Sequence, residues 1–469
     1  MNGLLLAVAG VVLLAVAFGW PAARLLGGSS TWATVLAVPA AGIGCSLAVS
    51  LSILTKTALW PWLILLGMAG WALLLRSRSG ASLTAPPAPD PGTGPLLVAL
   101  AVAFAPLLLV DIPAIESDAR SAWWFHAELF RLGGSVASEG MAEPAFRFSR
   151  PAYPPLVPAV IAGVWHLGGN LDREVALRVS QALVASGAAL TAFTVVATQG
   201  LVRRAGMVIA ALVAAICWGM NAEVGLSGFV DLTWPPVLVS AAVLLLCGRD
   251  DRRTMWRAAV LVAAAALMKS EAQPAVLLLL VLAGIRARGG WRRLLPVAGA
   301  AFAAIATWTV VTVVTNAPTE ERGDWSRVVD LARPGTEPHE RLVEVLSSIV
   351  DQAGWLVLAG VVGVLACIIV GRLARLPVDQ PGAISMLLLA AGYAAFLAVS
   401  LAVSEEDLEG YFVTGTYRYV IVVRLLVMVD LVIVWLAALR ALGVVAPNPT
   451  EGSPRSRDTA IAPAVPPTP

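Results

Sequence analysis

Charged residues are scarce in this chain. Lys, Arg, Asp and Glu make up 13% of its 469 residues, whereas about 25% is usual in a soluble domain. This shortage excludes a large water-soluble domain, and the lack of a basic stripe with interleaved aromatic residues argues against nucleic acid as a partner. Hydrophobic residues account for 58% of the chain. We therefore expect lipid to be the solvent for much of this protein.

Cysteine and histidine are also rare. The four cysteines are Cys45, Cys217, Cys247 and Cys367. All of them lie within or at the ends of apolar runs, without the CxxC spacing or histidine neighbours of a zinc site, and we interpret them as small hydrophobic residues. His126 and His166 stand too far from an acid and cysteine cluster to be argued as metal ligands. We expect neither a metal ion nor another cofactor.

Apolar segments of about 20 residues, the length of a membrane-spanning helix, recur from one end of the chain to the other. Basic residues are concentrated in one set of intervening loops and acidic residues in the other, so we place the basic loops in the cytoplasm. We predict about 13 transmembrane helices, with the N-terminus outside and the C-terminus inside. The predicted helices cover residues 3–19, 32–54, 58–75, 95–112, 175–198, 206–221, 232–247, 256–270, 272–286, 294–315, 353–370, 383–403 and 419–440.

One further apolar segment, residues 153–167, does not fit this alternation. A full crossing there would place the basic loop at Arg203 outside and would invert every later helix. We therefore predict that the segment is only half inserted. Pro154, Pro155 and Pro158 suit a helix start that breaks cleanly from the preceding loop.

The predicted organisation has four parts. Residues 1–75 form three N-terminal helices, and residues 76–94 form a cytoplasmic linker rich in Pro, Ser, Gly and Ala. Residues 95–440 form the main helical domain, and residues 441–469 form a disordered cytoplasmic tail. The outer loops of the main domain contain most of the acids. These loops cover residues 111–152, 316–350 and 404–418.

The first outer loop carries acids that could serve a chemical role. Asp111, Glu116 and Asp118 stand close together just beyond a membrane span, and Trp123 and Trp124 follow them. Carboxylates in this place can act as a general base next to a substrate delivered from the bilayer. The same pattern also fits an interfacial amphipathic helix with solvated acids and an ordinary aromatic belt. Spacing alone leaves both interpretations open.

Other charged residues within or beside the apolar segments also allow two interpretations. Arg424 lies about two turns inside an apolar helix, where it either binds a substrate phosphate or extends to the outer surface. Lys269 and Glu271 form either part of a site or an ordinary interfacial ion pair. Asp231 either binds substrate or caps the helix that follows it. Asp430 lies in the middle of a predicted span and must face protein.

Several short motifs follow one another in order from about residue 111 to residue 431. An acid, a Trp and an Ala/Leu-rich helix come first, and a Tyr-Pro-Pro helix start follows. An Asp before a Leu-rich helix, a Lys-x-Glu at a helix end and an Arg-Tyr pair opening a late helix come next. The residues in these places are Asp118, Trp123, Ala127, Phe130, Tyr153, Pro154, Pro155, Asp231, Lys269, Glu271, Arg418 and Tyr419. In this order they resemble the GT-C superfamily of membrane glycosyltransferases, which take sugars from polyprenyl-phosphate donors on the outer face of the membrane.

The chain departs from that pattern in two places. GT-C relatives commonly have an acid just before the Tyr-Pro pair, whereas Ala152 stands there in this chain. Relatives usually begin near the helix that leads into the first outer loop, whereas three extra helices precede that loop here. The resemblance therefore implies no second acid at position 152 and no role for the extra helices.

The resemblance implies an all-α, GT-C-like integral protein of the plasma membrane, with its active face outside. It implies transfer of a sugar from a polyprenyl-phosphate donor to a glycan, lipid or protein acceptor of the cell envelope. Asp118 is the candidate general base, with Asp111 and Glu116 as alternatives. The candidate substrate-binding residues are Trp123, Tyr153, Asp231, Lys269, Glu271, Tyr417, Arg418 and Arg424. A transporter or flippase of lipid-linked sugars is the alternative function, although the chain shows no internal repeat that would favour it.

Overall fold

The structure is a computed structural model in which most of the described residues are helical. It describes residues 2–27, 29–78, 91–109, 119–168, 173–201, 203–220, 222–228, 230–287, 290–318, 325–373, 380–404 and 416–441, and these ranges contain no strand. The α-helices are α1 (Asn2–Leu14), α2 (Trp20–Gly27), α3 (Ser30–Thr55), α4 (Leu59–Arg78), α5 (Thr93–Leu109), α6 (Phe125–Leu132), α7 (Gly134–Ala142), α8 (Leu156–Gly168), α9 (Arg173–Thr198), α10 (Arg203–Gly219), α11 (Ala222–Leu226), α12 (Trp234–Ala242), α13 (Arg252–Met268), α14 (Ala272–Arg286), α15 (Leu295–Val314), α16 (Glu337–Leu373), α17 (Gln380–Ala402) and α18 (Thr416–Ala441). The π-helical turns are Ala15–Gly19, Ala119–Trp124 and Val243–Cys247.

Nine helical segments in the described part of the chain are long and apolar enough to cross a membrane. The prediction of an all-α integral membrane protein is therefore confirmed. Each predicted helix overlaps a helix of the structure, but some of these helices are short. α5, α10 and α13 have 17 residues each and α14 has 15, against the roughly 20 that a full crossing needs. The number of crossings stays a prediction.

Two predicted helix boundaries are wrong. The first helix does not end at residue 19, because it continues through the π-helical turn at Ala15–Gly19 into α2. α16 begins at Glu337 rather than at residue 353, so the predicted loop 316–350 contains its first turns as well as a 3-10 helix at Trp325–Ala332. A helix does not have to stop where the apolar segment stops. An ion pair of 2.7 Å between Glu337 and Arg341, one turn apart, supports the polar start of α16.

Contacts between helices place the arginine-rich turns at one end of the bundle. The guanidinium of Arg257, near the start of α13, lies 4.2 Å from the centroid of the Trp32 ring at the start of α3. Trp32 packs edge-on against Phe193, near the end of α9. Arg440, in the last turn of α18, donates to Gln199 just after α9. We call this the arginine-rich end, and the other the opposite end.

The short helix α8 starts inside the bundle. Leu156, its first residue, packs closely against Gly42 in the middle of α3, and Gly163, two turns later, packs near Cys45. α8 therefore runs from the middle of the bundle towards the opposite end. Its 13 residues cover about 20 Å, less than the thickness of a bilayer core. Half insertion of residues 153–167 into a bilayer stays a prediction.

Two glycines hold the hairpin of α6 and α7 onto the turn between α3 and α4. Gly133 and Gly134 have φ values of +65° and +55°, which favour glycine. A Cβ atom on Gly133 would lie 2.9 Å from Ser52 Oγ and 3.0 Å from the nitrogen of Leu59. The nitrogen of Gly134 donates to Ser52 Oγ at 3.2 Å. The hairpin is therefore anchored at the opposite end of the bundle.

The distribution of basic residues predicts the orientation of the bundle, with the arginine-rich end in the cytoplasm. Reporter tags placed at Gly80 and at the C-terminus should then be cytoplasmic, and a tag at Gly335 should be outside. Labelling of intact cells with a membrane-impermeant reagent measures this directly. Finding the tags at Gly80 and Gly335 on the same face would overturn the predicted path.

Candidate functional site

A buried group of charged side chains lies where α13 ends and α14 begins. Lys269 Nζ lies 2.5 Å from Asp231 Oδ1 and 3.5 Å from Glu271 Oε1. Arg418 Nη1, in the first turn of α18, lies 3.7 Å from Asp231 Oδ2. We call these four residues the charged cluster. The carboxylate of Asp231 is therefore shared between two cations.

The four side chains of the charged cluster differ in their exposure to solvent. The side chains of Lys269 and Asp231 are only 7% and 6% exposed. Those of Glu271 and Arg418 are 19% and 12% exposed. A ligand would therefore reach the cluster from the side of Glu271 and Arg418, its two more exposed members.

Local structure explains how Asp231 reaches Lys269. Asp231 lies in a 3-10 turn, Val230–Leu232, and Thr233 Oγ1 closes that turn by donating to the carbonyl of Val230 at 2.6 Å. The N-cap residue of α12, Thr233, makes no side-chain cap hydrogen bond. The carboxylate of Asp231 is directed to the two cations and does not cap α12, so the capping interpretation of this residue is not what the structure shows.

The ion pair of Lys269 with Asp231 also differs from an ordinary interfacial ion pair. The backbone of Lys269 is extended, with φ −155° and ψ 148°, where α13 ends. The nitrogen of Ala272 donates to the Lys269 carbonyl at 3.2 Å, so the chain reverses at once into α14. Because the side chain is buried, the surrounding water that weakens exposed ion pairs is largely removed.

The charged cluster is recessed within the bundle. Arg257 lies level with Trp32 at the arginine-rich end. Lys269 is twelve residues beyond Arg257, about 18 Å along a helix, whereas α3 continues from Trp32 to Thr55 for about 35 Å. Measured along α13, Lys269 therefore lies roughly 17 Å short of the end of α3. These charges were predicted at outer helix ends, and they do lie at helix ends, with Lys269 and Glu271 at the junction of two short helices, α13 and α14.

Tyr153 connects the charged cluster to the segment before α8. Its hydroxyl lies 3.5 Å from Glu271 Oε1 and accepts a hydrogen bond of 2.7 Å from Arg150 Nη1. The ring of Trp123 packs 5.6 Å from the Tyr153 ring. Trp308 Nε1 donates to the carbonyl of Ala152 at 3.0 Å and helps to hold this segment. Sequence reasoning missed Arg150, although an arginine three residues before a Tyr-Pro-Pro motif is a signal that could have found it.

Aromatic rings cover one side of the charged cluster. Lys269 Nζ lies 5.0 Å from the centroid of the Tyr419 ring, within the range of a cation–π contact. Tyr393 of α17 is fully buried and packs edge-on against Trp234, three residues after Asp231. Sequence reasoning named Tyr419 only as part of a motif and missed Tyr393, which stands in an otherwise apolar helix.

The cluster and its connected residue Arg150 carry an excess of positive charge. Lys269, Arg418 and Arg150 are cations, and Asp231 and Glu271 are carboxylates, so the formal net charge is +1. Ionic contacts are stronger in a recessed site than in water, because less solvent screens them. This arrangement suits an anion such as phosphate, which both arginine and lysine bind.

The predicted acids of the first outer loop, Asp111, Glu116 and Asp118, lie outside the described residues. The structure does describe Ala119, the next residue, in the π-helical turn that leads into α6. A Cβ atom on Gly228 would lie 3.3 Å from the Cβ of Ala119. Gly228 precedes Asp231 by only three residues. This end of the first outer loop therefore packs beside the segment that carries Asp231.

Three other residues singled out in the sequence are Tyr417, Arg424 and Asp430. The side chain of Tyr417 lies outside the described part of the chain. Arg424 follows Arg418 by six residues, which turns it about 240° around α18, and its Nε is buried without a hydrogen-bond partner among the described residues. The structure therefore does not bring Arg424 into the charged cluster. Asp430 is fully buried in α18, and neither of its carboxylate oxygens has a hydrogen-bond partner within the described ranges.

His126 has a structural environment in α6. Its Nε2 lies 3.1 Å from Ser149 Oγ, and its ring stacks on Phe130. Burial lowers the pKa of His126 to about 4, so the imidazole is neutral at physiological pH. A neutral, buried ring fits the structural interpretation of this histidine. Among the described residues, no group of three or more His, Cys, Asp or Glu side chains is arranged to hold a metal ion.

Comparison with known proteins identifies no relative, since no family model, no curated protein and no solved structure matches this chain. The function is therefore inferred from the charged cluster, from the helices that position it, and from the order of motifs along the chain.

Proposed function

We propose that this protein is a membrane glycosyltransferase that moves a sugar from a polyprenyl-phosphate donor to an extracytoplasmic glycan, lipid or protein acceptor of the cell envelope. The observation that supports it most is the meeting of Lys269 and Arg418 around Asp231, recessed in a bundle of membrane-spanning helices. A lipid-linked donor can enter such a site from the bilayer. Nucleotide sugars, in contrast, are absent outside the cytoplasmic membrane.

The two cations suit the phosphate of the donor. Arg418 Nη1 lies 3.7 Å from Asp231 Oδ2. Its planar guanidinium has parallel N–H groups that match the oxygens of a phosphate. Lys269 supplies a compact second charge that Asp231 and Glu271 hold in place. Both would stabilise the phosphate as the sugar leaves it.

The reaction needs a base for the acceptor hydroxyl. In the proposed step a carboxylate takes that proton, the acceptor oxygen bonds to the anomeric carbon, and the bond from that carbon to the phosphate oxygen breaks. Polyprenyl phosphate leaves with the electron pair. Asp118 is the proposed base, with Asp111 and Glu116 as alternatives. The contact between Ala119 and Gly228 supports a place for this loop beside the cluster.

A transporter or flippase of lipid-linked sugars is the second candidate, and Asp430 is the observation that favours it. A buried carboxyl without a described partner in a spanning helix is a common feature of ion-coupled transport. For the glycosyltransferase, Asp430→Asn should leave the rate of sugar transfer within about twofold of wild type, because the residue lies three turns from the cluster. Loss of lipid-linked sugar translocation in this variant, measured in proteoliposomes, would favour the transporter.

Binding of polyprenyl phosphate to the purified protein in lipid nanodiscs tests the proposal. Arg418→Met should weaken binding by about 10- to 100-fold, the usual effect of losing a charge-assisted hydrogen bond. Arg293→Met is the matched control, because Arg293 pairs with Asp250 at 2.9 Å at the arginine-rich end, and it should leave binding unchanged. The uncharged polyprenol should bind both variants equally.

Equal affinity of wild type and Arg418→Met for polyprenyl phosphate would remove Arg418 from the donor site. Equal weakening by Arg418→Met and Arg293→Met would show a general effect of net charge rather than a specific phosphate site. If the wild-type protein binds polyprenol as tightly as polyprenyl phosphate, the proposed role of the charged cluster fails.

A further inference from the structure

Two buried polar side chains lie one turn apart near the start of α9. Arg178 is 8% exposed and Gln181 is fully buried. Residues three positions apart lie on the same face of a helix. Polar groups buried in an apolar bundle are costly unless they are hydrogen-bonded, so their partners indicate what they hold in place.

The hydrogen-bond partners belong to three segments, and Arg178 Nε also lies 3.9 Å from Glu174 Oε1, one turn earlier in α9. Arg178 Nη1 donates to Gln181 Oε1 at 3.1 Å and lies 3.4 Å from the carbonyl of Leu107, near the end of α5. Gln181 Nε2 donates to the carbonyl of Leu226, the last residue of α11, at 2.7 Å. The pair therefore links the helix that precedes the first outer loop to the segment that leads into Asp231.

Gly228, two residues after Leu226, has little conformational freedom. Gly228 has φ +92°, a conformation that other residues rarely adopt. A Cβ atom there would lie 3.0 Å from a Leu177 methyl and 3.3 Å from Ala119. Only four residues separate Leu226 from Asp231, so a shift of the Leu226 carbonyl is close enough along the chain to move the carboxylate.

We propose that Arg178 and Gln181 are positioning residues that hold the segment from Leu226 to Asp231 so that the Asp231 carboxylate meets both Lys269 and Arg418. Neither residue belongs to the charged cluster. Their role in donor binding rests on the proposed function, whereas their role in placing Asp231 does not. Without the donation from Gln181, the Leu226 carbonyl loses this buried hydrogen bond, and we expect Asp231 to shift.

The α9 helix supplies a matched control for this pair. Gln199, just beyond the other end of α9, accepts a hydrogen bond of 3.0 Å from Arg440. Gln199 and Gln181 both connect α9 to another segment, but only Gln181 leads to Asp231. Gln181→Leu and Gln199→Leu each remove side-chain hydrogen bonding at one end of the same helix.

The test compares cryo-EM structures and polyprenyl-phosphate affinities of the two variants. Gln181→Leu should move the Asp231 carboxylate beyond 4 Å from Lys269 Nζ, outside ion-pair distance, and should weaken binding about tenfold. Gln199→Leu should change neither. Arg178→Met should behave like Gln181→Leu, and Arg178→Lys, which keeps a charged donor, should recover most of the affinity.

The structural readout decides the inference even if the proposed function is wrong. An unmoved Asp231 in both Gln181→Leu and Arg178→Met would overturn it, whatever the protein binds. Displacement of Asp231 in Gln199→Leu as well would show that any loss of a contact on α9 has this effect. If Gln181→Leu does not fold, the contrast between Arg178→Met and Arg178→Lys carries the test. Failure of wild type to bind polyprenyl phosphate would count against the proposed function alone.

Discussion

Replacing Asp118 by asparagine should lower the rate of sugar transfer by at least about 100-fold while polyprenyl-phosphate binding is largely kept. Asparagine preserves the shape of the side chain and most of its hydrogen bonds, but it cannot accept the proton of the acceptor hydroxyl. The lower limit follows from general-base catalysis, which typically contributes about 10² to 10⁴-fold. Release of polyprenyl phosphate from lipid-linked sugar in reconstituted membranes measures the rate.

Asp111→Asn and Glu116→Gln are the controls within the same loop, and each should retain most of the transfer rate. If Asp118→Asn remains active while one of these variants is inactive, the loop is catalytic and the base is the other acid. If all three variants remain active, the first outer loop does not supply the base, and the transporter alternative gains support.

Replacing Lys269 by methionine should have the second-largest effect, on stability and binding together. Methionine fills much of the same volume but leaves Asp231 buried, with Arg418 3.7 Å away as its remaining described ion-pair partner. Removing one partner of a buried ion pair typically costs about 3–5 kcal/mol. The unfolding midpoint in detergent should fall accordingly, and polyprenyl phosphate should no longer bind at concentrations that saturate wild type.

A double variant separates the structural role of this pair from its role in binding. Asp231→Asn combined with Lys269→Met leaves no uncompensated charge in that pair, so most of the lost stability should return. Binding of polyprenyl phosphate should not return, because one of the two phosphate cations is still missing. Recovery of both stability and binding in the double variant would make the pair purely structural.

Hydropathy predicted the helices well but their ends poorly. Apolar runs identify each spanning segment because the bilayer requires about 20 such residues. Apolar runs, however, mark only the part of a helix that lies in lipid. α16 continues for several turns beyond the apolar part of its sequence. The π-helical turn at Ala15–Gly19 could not be predicted either, because its sequence is as apolar as that of an ordinary spanning helix.

The order of motifs placed Asp231, Lys269, Glu271, Arg418 and Tyr153 in one predicted site, and the structure brings these five side chains together. Their depth in the bundle could not be predicted, because it depends on how α13 packs beside α3. Their roles stay predictions.

Arg178 and Gln181 were missed for a different reason. Two polar residues one turn apart in an apolar span are a visible signal. Their partners, however, are the backbone carbonyls of Leu107 and Leu226, and backbone carbonyls leave no trace in a sequence.

A cryo-EM structure of the wild-type protein in lipid nanodiscs with saturating polyprenyl phosphate would test the central claim most directly. The account predicts phosphate density within about 4 Å of both Lys269 Nζ and the Arg418 guanidinium, the distance set by charge-assisted hydrogen bonds. Phosphate density at the arginine-rich end, near Arg249 or Arg293, with the charged cluster unchanged and unoccupied, would contradict it.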